Sequence, residues 1–237
     1  MSVRTRLLDL LRLFTRKKAP IAFADWFRVE PVARGFGAER GISIARYYVE
    51  SFLKANSETI RGCVLEVAES SYTTRFGGDR VTRAEVLHVD RGECPGATIV
   101  GDLTQSDALP ENVADCFICT QTLQFIPDLE AALVGARQLL RPEGVLLATI
   151  SGISQISRYD MDRWGEYWRL TKPCAERLFG RVFGADVSVV AYGNCLAATA
   201  LLQGVVVEDL PDPALLDQYD DDYQVLIGVV ARKGGDS

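Results

Sequence analysis

Short apolar segments typical of buried strands alternate along residues 62–232 with segments of helical periodicity. Near-continuous apolar strands need cover on both faces of a sheet, and the intervening helices can provide it. This alternation predicts an α/β fold of the Rossmann-like kind, with a mostly parallel sheet and helices on both of its faces. The seven predicted strands cover residues 62–68, 85–90, 97–100, 115–120, 144–150, 186–192 and 223–232.

The helical segments set the predicted domain boundaries. Residues 42–56 carry apolar side chains at helical spacing before the first strand. Residues 129–140 form an amphipathic segment between the fourth and fifth strands, and the following "RPEG" predicts a turn. We therefore predict an N-terminal helical extension or lid over residues 1–58 and one α/β domain over residues 59–237.

Charge is spread unevenly along the chain. The 237 residues have a net charge of −6, so we predict no nucleic-acid partner. Basic residues concentrate in residues 1–18, where leucines and Phe14 share one face of a predicted helix. This helix either packs on its own domain or contacts an anionic membrane surface or a partner. Because no apolar run approaches the roughly 20 residues that span a bilayer, and no secretory signal is present, we predict a cytoplasmic protein, at most peripheral to the membrane.

The six cysteines show no spacing typical of a disulfide framework. Cys116 and Cys119 have the spacing of half a metal site, but they lie in a predicted strand. Residues three apart on a strand point to opposite faces, so these thiols cannot converge on one ion. We predict reduced, buried cysteines and no metal.

Polar residues follow the first four predicted strands, where ligands bind in open α/β sheets. Glu66 lies near the end of the first strand, and Asp90 ends the second about 20 residues later, suited to ribose hydroxyls. The alternative for Asp90 is a helix cap or turn. Asp102 follows the third strand and suits an adenine amino group, while Thr120 and Gln121 begin a polar patch after the fourth.

The order and spacing of these motifs resemble the class I S-adenosylmethionine-dependent methyltransferases, particularly a small bacterial branch of the methyltransferase 11 kind. Residues 115–150, "DCFICTQTLQFIPDLEAALVGARQLLRPEGVLLATI", resemble the family's fourth strand, its L-x-H-x-P-D turn, the next helix and its L-[RK]-P-G-G turn. Glu143 stands where the first glycine of the family's turn is usual. The resemblance implies seven strands with the last one antiparallel, S-adenosylmethionine as cofactor and S-adenosylhomocysteine as product.

The loop after the first strand departs from the family's G-x-G-x-G pattern. Ala68, Ser70 and Tyr72 occupy the three glycine positions, where glycine lets the backbone approach the ligand closely. The stretch "VLEVAESSYTTRFGG" nevertheless resembles a branch associated with glycan or polysaccharide genes, as do "GISIARYY" and "SGISQISRYDMDRWGEYWRLT". We interpret the altered loop as a sub-family design.

These considerations give a set of predicted cofactor residues. Arg75 either binds the ligand's carboxylate or pairs with Glu69 or Asp79 at the surface. The predicted cofactor-binding residues are Glu66, Ala68, Tyr72, Arg75, Asp90, Asp102, Leu103, Thr120 and Gln121, with Arg40 and Tyr47 closing over the donor.

The predicted acceptor pocket is the segment 157–171, which follows the fifth strand and holds two of the chain's three tryptophans. Trp and Tyr offer flat apolar faces suited to sugars or aromatic acceptors; the alternative is a capping helix that uses them as core. The predicted substrate residues are Arg158, Tyr159, Trp164 and Trp168. A hydroxyl acceptor benefits from a base, and the candidates are Asp160 and the two predicted catalytic residues, Asp162 and His88.

These features predict a methyltransferase that transfers a methyl group from S-adenosylmethionine to an oxygen of a glycan or small-metabolite acceptor. One alternative is a protein that keeps this fold but catalyses a reaction other than methylation. Another is a non-catalytic partner of a glycosyltransferase, to which the basic residues 1–18 would contribute.

Overall fold

The computed structural model describes residues 29–235, so the predicted basic helix at residues 1–18 lies outside the described residues. None of the helices within 29–235 is long and apolar enough to cross a membrane. The helices are α1 (Ile44–Ala55), α2 (Leu129–Leu139), α3 (Arg158–Met161), α4 (Lys172–Phe183) and α5 (Cys195–Gln203). The strands are β1 (Gly62–Val67), β2 (Val81–His88), β3 (Ile99–Val100), β4 (Ala114–Thr120), β5 (Leu140–Ser151), β6 (Val187–Tyr192) and β7 (Leu226–Arg232).

The strands form one sheet in the order β3-β2-β1-β4-β5-β7-β6. The five strands β1 to β5 pair in parallel, and β7 runs antiparallel between β5 and β6. The predicted fold class is therefore confirmed. From β1 the chain builds outward to β2 and β3, then returns to add β4 on the other side. This reversal between β1 and β4 opens a crevice at the carboxyl ends of the strands, where such sheets bind ligands.

Each face of the sheet carries its own buried core. On one face α2 and α4 cover a core that includes Phe117 and Cys119. On the other face α1 and α5 cover a core that includes Cys116 and Ile118. The two cysteines thus lie on opposite faces, as predicted from strand geometry. Within residues 29–235, no cluster of side chains could hold a metal ion.

Helix α1, which was predicted as part of an N-terminal extension, packs directly on the sheet. Its Tyr48 and Phe52 are fully buried. The Phe52 ring lies so close to Gly228 of β7 that an added Cβ there would come within 2.6 Å of it. Glycine in the middle of this strand is explained by that close approach.

Two local expectations differ from the structure. Strand β5 begins at Leu140, which pairs with Ala114, so the "RPEG" segment lies inside a strand with a register shift instead of forming a separate turn. Its Glu143 takes a φ of 65°, consistent with the glycine usual at this position in the family. Helix α4 was not predicted, although Pro173 near its start and buried Phe179 and Phe183 four residues apart are helix signals.

Candidate functional site

A cavity of about 660 Å³ lies at the carboxyl ends of β1 to β4. This volume is within the range of small-molecule sites. All four strand exits contribute to its wall, and α3 with the turn after it covers one side. The lining residues are Val67, Ala68, Leu87, His88, Val89, Gly101, Asp102, Leu103, Thr104, Gln121, Thr122, Phe125, Ile126, Pro127, Asp128, Ala131, Asp160 and Trp164.

The backbone is left-handed at the two exits that face each other across the sheet reversal. Ala68 after β1 has a φ of 67°, and Gln121 after β4 has a φ of 49°. L-residues adopt this region at a cost of about 1–2 kcal/mol, and such strain concentrates at functional sites. Ala68, predicted at the first glycine position, therefore keeps a glycine-like backbone. Its N–H donates to the carbonyl of Leu87 at 2.9 Å, and its carbonyl accepts from the Cys94 thiol at 3.2 Å.

Glu66 fixes the loop after β1 through hydrogen bonds. Its buried carboxylate accepts hydrogen bonds from the Tyr72 N–H at 3.2 Å and from the Thr73 N–H and hydroxyl at 2.7 Å each. Burial raises the pKa of Glu66, and these hydrogen bonds offset only part of that rise. The chain continues from there into one π-helical turn, Thr73–Gly77. Glu66 and Tyr72 were predicted to bind cofactor; the structure places both outside the cavity wall.

The exit of β2 presents His88 to the cavity. The strand ends at His88, two residues before the predicted end. Asp90 lies in the following turn, where its side chain accepts from the Gly92 N–H at 2.7 Å. The His88 ring lies edge-on to Trp164, with centroids 6.2 Å apart. Asp90 was the predicted ribose contact, but it does not line the cavity.

Asp102 and Leu103 line the cavity at the exit of β3, as their predicted role requires. The Oδ1 atom of Asp102 accepts from the Thr104 N–H and hydroxyl, each at 2.8 Å. These bonds fix the carboxylate orientation. The buried Leu103 supplies an apolar surface beside it.

The exit of β4 is held by a network of amides and hydroxyls. The Gln121 N–H donates to the carbonyl of Thr149 at 2.9 Å. The Gln121 side-chain oxygen accepts from Gln124 at 3.1 Å and from Ser151 at 2.7 Å. Gln124 is buried, and its own side-chain oxygen has no hydrogen-bond partner within residues 29–235. Thr120 does not line the cavity; its carbonyl accepts from the Thr122 hydroxyl at 3.0 Å.

The segment after β5 folds over the mouth of the cavity. Of its side chains, Asp160 and Trp164 line the wall. The Asp160 carboxylate accepts from the Ser157 hydroxyl at 2.5 Å. Two hydrogen bonds connect the segment to the β4 exit. The Trp168 indole N–H donates to the carbonyl of Ile126 at 2.9 Å, and the Tyr167 backbone N–H donates to the carbonyl of Gln124 at 2.8 Å.

The remaining predicted residues lie outside the cavity wall and have partners elsewhere. Arg40 forms a two-bond ion pair with Asp209 at 3.0 Å, and the Tyr47 hydroxyl donates to Asp217 at 2.9 Å. Arg75 pairs with Glu50 at 2.6 Å, a partner that was not predicted. Arg158 of α3 forms an exposed ion pair with Asp162, which follows the helix, at 3.0 Å. The Arg163 guanidinium lies 3.6 Å from the centre of the Tyr159 ring.

The fixed charges of the cavity wall are all negative. Its carboxylates belong to Asp102, Asp128 and Asp160, and no lysine or arginine of the described chain joins them. Asp128 also caps α2 by accepting from the Ala131 N–H at 3.0 Å. The rest of the wall is mostly apolar, with the polar side chains of His88, Thr104, Gln121 and Thr122 among it. The cavity therefore favours a ligand with an apolar or aromatic body and a positive charge.

Sequence reasoning missed part of this wall. Phe125, Ile126, Pro127 and Asp128 contribute to it, although none of these four is a predicted site residue. Asp160 was considered as a base but not preferred. The signal that separates Asp160 from Asp162 is helical phase, because residues two apart on a helix face different directions.

Comparisons with known proteins agree with this geometry. Residues 66–148 match the family described as "Methyltransferase domain", of the methyltransferase 11 kind. A search of curated proteins gives no significant match. Among solved structures, a SAM-dependent methyltransferase from Archaeoglobus fulgidus aligns with a TM-score of 0.53 at 10% identity, over 79% of this chain and 94% of that one. The [4+2]-cyclase SpnF aligns with a TM-score of 0.51 at 17% identity, over 98% of this chain and 93% of that one.

At these identities the structural alignments show the fold alone, and the sequence match covers about a third of the chain. The match begins at Glu66 and ends within β5, so it includes the exits of all the strands that wall the cavity. Residues 66–148 therefore match a methyltransferase family model, and they lie in a seven-stranded fold that is shared with a solved SAM-dependent methyltransferase.

Proposed function

We propose that this protein is an enzyme that transfers a methyl group from S-adenosylmethionine to an oxygen of a glycan or small-metabolite acceptor, and releases S-adenosylhomocysteine. The observation that carries the proposal is the cavity itself. It is walled by the exits of β1 to β4 at the sheet reversal, with a left-handed backbone at Ala68 and Gln121. The cavity lies mostly within the matched methyltransferase domain.

The lining residues fit this cofactor. Val67, Leu87 and Leu103 offer apolar surface for an adenine ring, and the fixed Asp102 carboxylate suits its amino group. The acidic wall, to which no described lysine or arginine contributes, suits the sulfonium and ammonium charges. When bound, S-adenosylmethionine supplies an activated methyl group on its sulfonium. The residues of the chain then have to align the acceptor with that methyl group and exclude water.

We assign the acceptor to the side of the cavity beneath the segment after β5. Trp164 presents part of its indole there, a surface suited to a sugar ring, and Asp160 lies in the same wall. The hydrogen bond from Ser157 leaves Asp160 oriented to take the proton of an acceptor hydroxyl. Asp162 is the weaker candidate base, because its carboxylate is exposed and paired with Arg158. The resemblance to the glycan-associated branch supports the acceptor class.

Calorimetric titration with S-adenosylhomocysteine tests the cofactor assignment. We expect the wild type to bind, and D102N to bind about 10-fold more weakly or worse, because a charge-assisted hydrogen bond is lost. Asn at this position retains an oxygen for the two bonds from Thr104. D107N is the matched control, since Asp107 lies exposed on the same loop and outside the wall. Absence of wild-type binding at millimolar ligand would refute the proposal.

Transfer of radiolabelled methyl groups to a panel of glycans and small alcohols tests the acceptor assignment. With an acceptor found in this way, we expect W164F to raise the acceptor KM with little change in S-adenosylhomocysteine affinity. W168F, which removes the hydrogen bond to Ile126 but not a wall residue, should chiefly lower stability. Equal effects of both substitutions on KM would contradict the assignment.

A second candidate is a reaction other than methylation in the same cavity. It is favoured by the replaced loop glycines, Ala68, Ser70 and Tyr72. The solved [4+2]-cyclase shows that this fold also houses a different reaction. Release of S-adenosylhomocysteine during turnover separates the two candidates, because only methyl transfer produces it.

A further inference from the structure

The exit of β2 is occupied by an imidazole. In dinucleotide- and nucleoside-binding sheets, an acidic residue at this exit binds the ribose hydroxyls. Here β2 ends at His88, which pairs with Val100 of β3 and lines the cavity. Asp90 lies in the turn beyond, outside the wall, with its carboxylate bonded to the Gly92 N–H. The residue in the position to contact a ligand is therefore His88.

The two ring nitrogens of His88 have different surroundings. The Nδ1 atom lies 2.6 Å from the Asp90 carbonyl oxygen and 3.0 Å from the Asp90 amide nitrogen. The Asp90 backbone thus fixes the ring through Nδ1 in either neutral tautomer. The Nε2 atom has no hydrogen-bond partner within residues 29–235. Trp164, which also lines the cavity, packs edge-on against the ring and restricts its rotation.

We propose that His88, through Nε2, binds a ribose hydroxyl of the nucleoside in this cavity, in place of the carboxylate usual at this exit. The proposal rests on the proposed function, because it takes the nucleoside to be that of S-adenosylmethionine. Asp90 acts as the residue that positions His88, through its backbone and not through its carboxylate.

A hydroxyl is the ligand group that suits this nitrogen. If Nδ1 donates to the Asp90 carbonyl, Nε2 is an acceptor; if Nδ1 accepts from the Asp90 N–H, Nε2 is a donor. A ribose hydroxyl both donates and accepts, so it can pair with Nε2 in both cases. An amino group or a carboxylate could pair in only one of them.

Three variants separate this role from a structural one. Asn places its side-chain oxygen near the Nδ1 position and has no counterpart of Nε2, whereas Gln reaches the Nε2 position and has no counterpart of Nδ1. We therefore expect H88N to bind S-adenosylhomocysteine about 3- to 10-fold more weakly than the wild type, the value of one neutral hydrogen bond. H88Q should retain most of the affinity. D90N is the matched control and should stay within about twofold, since Asn retains an acceptor for Gly92.

Calorimetric titrations with S-adenosylhomocysteine and with its 2′,3′-dideoxyribose analogue provide the readout. Loss of the hydroxyls should weaken binding to the wild type and to D90N by more than it weakens binding to H88N. An equal loss in H88N and the wild type would overturn the proposal, as would normal binding by H88N with weak binding by H88Q. A large loss in D90N alone would return the ribose contact to the carboxylate. If the wild type does not bind S-adenosylhomocysteine at all, it is the proposed function that fails, and this inference with it.

Discussion

Replacement of Glu66 by Ala should destabilise the protein by about 2–4 kcal/mol. The substitution removes the acceptor of three hydrogen bonds, two of which come from Thr73. Thr73 is 1% exposed, so water cannot replace the lost acceptor for its N–H and hydroxyl. Each buried donor left without a partner costs about 1–3 kcal/mol. Relief from burying a carboxyl group offsets part of this cost, and the Tyr72 N–H adds a smaller term.

Urea unfolding followed by circular dichroism measures this change. Glu69→Ala is the matched control, because Glu69 lies in the same loop and is exposed; we expect its free energy of unfolding to change by less than about 0.5 kcal/mol. Glu66→Gln, which keeps one acceptor oxygen, should fall between the two. If Glu66→Ala and Glu69→Ala gave the same free energy of unfolding, Glu66 would not be what orders this loop.

Three further predictions concern stability and reactivity. Ala68→Gly should raise the free energy of unfolding by about 0.5–1 kcal/mol. The strain relieved at the left-handed φ of Ala68 exceeds the entropy that glycine adds to the unfolded chain. An alanine-to-glycine change inside α2, the control, should lower the free energy of unfolding by about 1 kcal/mol. In the native protein Ellman's reagent should modify the exposed Cys174 but not Cys116 or Cys119, whose buried thiols have their pKa raised to about 12; rapid native modification of either buried thiol would contradict this. Burial raises the pKa of Glu66 in the folded state. The contribution of Glu66 to the free energy of unfolding is therefore greatest below the unfolded pKa of about 4.3 and is lost as pH rises through the folded pKa. The stability of the wild type relative to Glu66→Gln should fall over that pH window.

The fold was predictable because its determinants are repeated along the chain. The central parallel strands β1, β4 and β5 are buried apolar runs that need cover on both faces, so the same pattern recurs along the sequence. Local exceptions do not change the outcome. Helix α4 escaped notice, and β5 begins four residues earlier than expected, yet neither alters the order of the strands.

The site was less predictable because the residue at which a strand ends decides which of the following side chains lie in the cavity wall. Asp102 and Gln121, which follow short apolar strands by one or two residues, do line the cavity. Arg40 and Tyr47 were assigned by resemblance and Arg75 by its charge, but the structure gives each an acidic partner far away in sequence. Those partners, Asp209, Asp217 and Glu50, become neighbours only when the chain is folded, so no local pattern could reveal them.

The two residues at the exit of β2 show why residue type alone does not place a side chain in the cavity wall. A rule based on residue type selects Asp90, because an acid is expected after the second strand. The predicted strand extended to that acid, but the real strand stops at His88. Beyond the last pair with β3, the backbone turns, and Asp90 is directed to its own turn instead of the cavity. The two residues between the predicted and the observed end of β2 replace a carboxylate with an imidazole in the cavity wall. A ligand contacts the side chains that the folded backbone places in the cavity wall. A family resemblance therefore locates a subsite better than it identifies the residue that binds the ligand there.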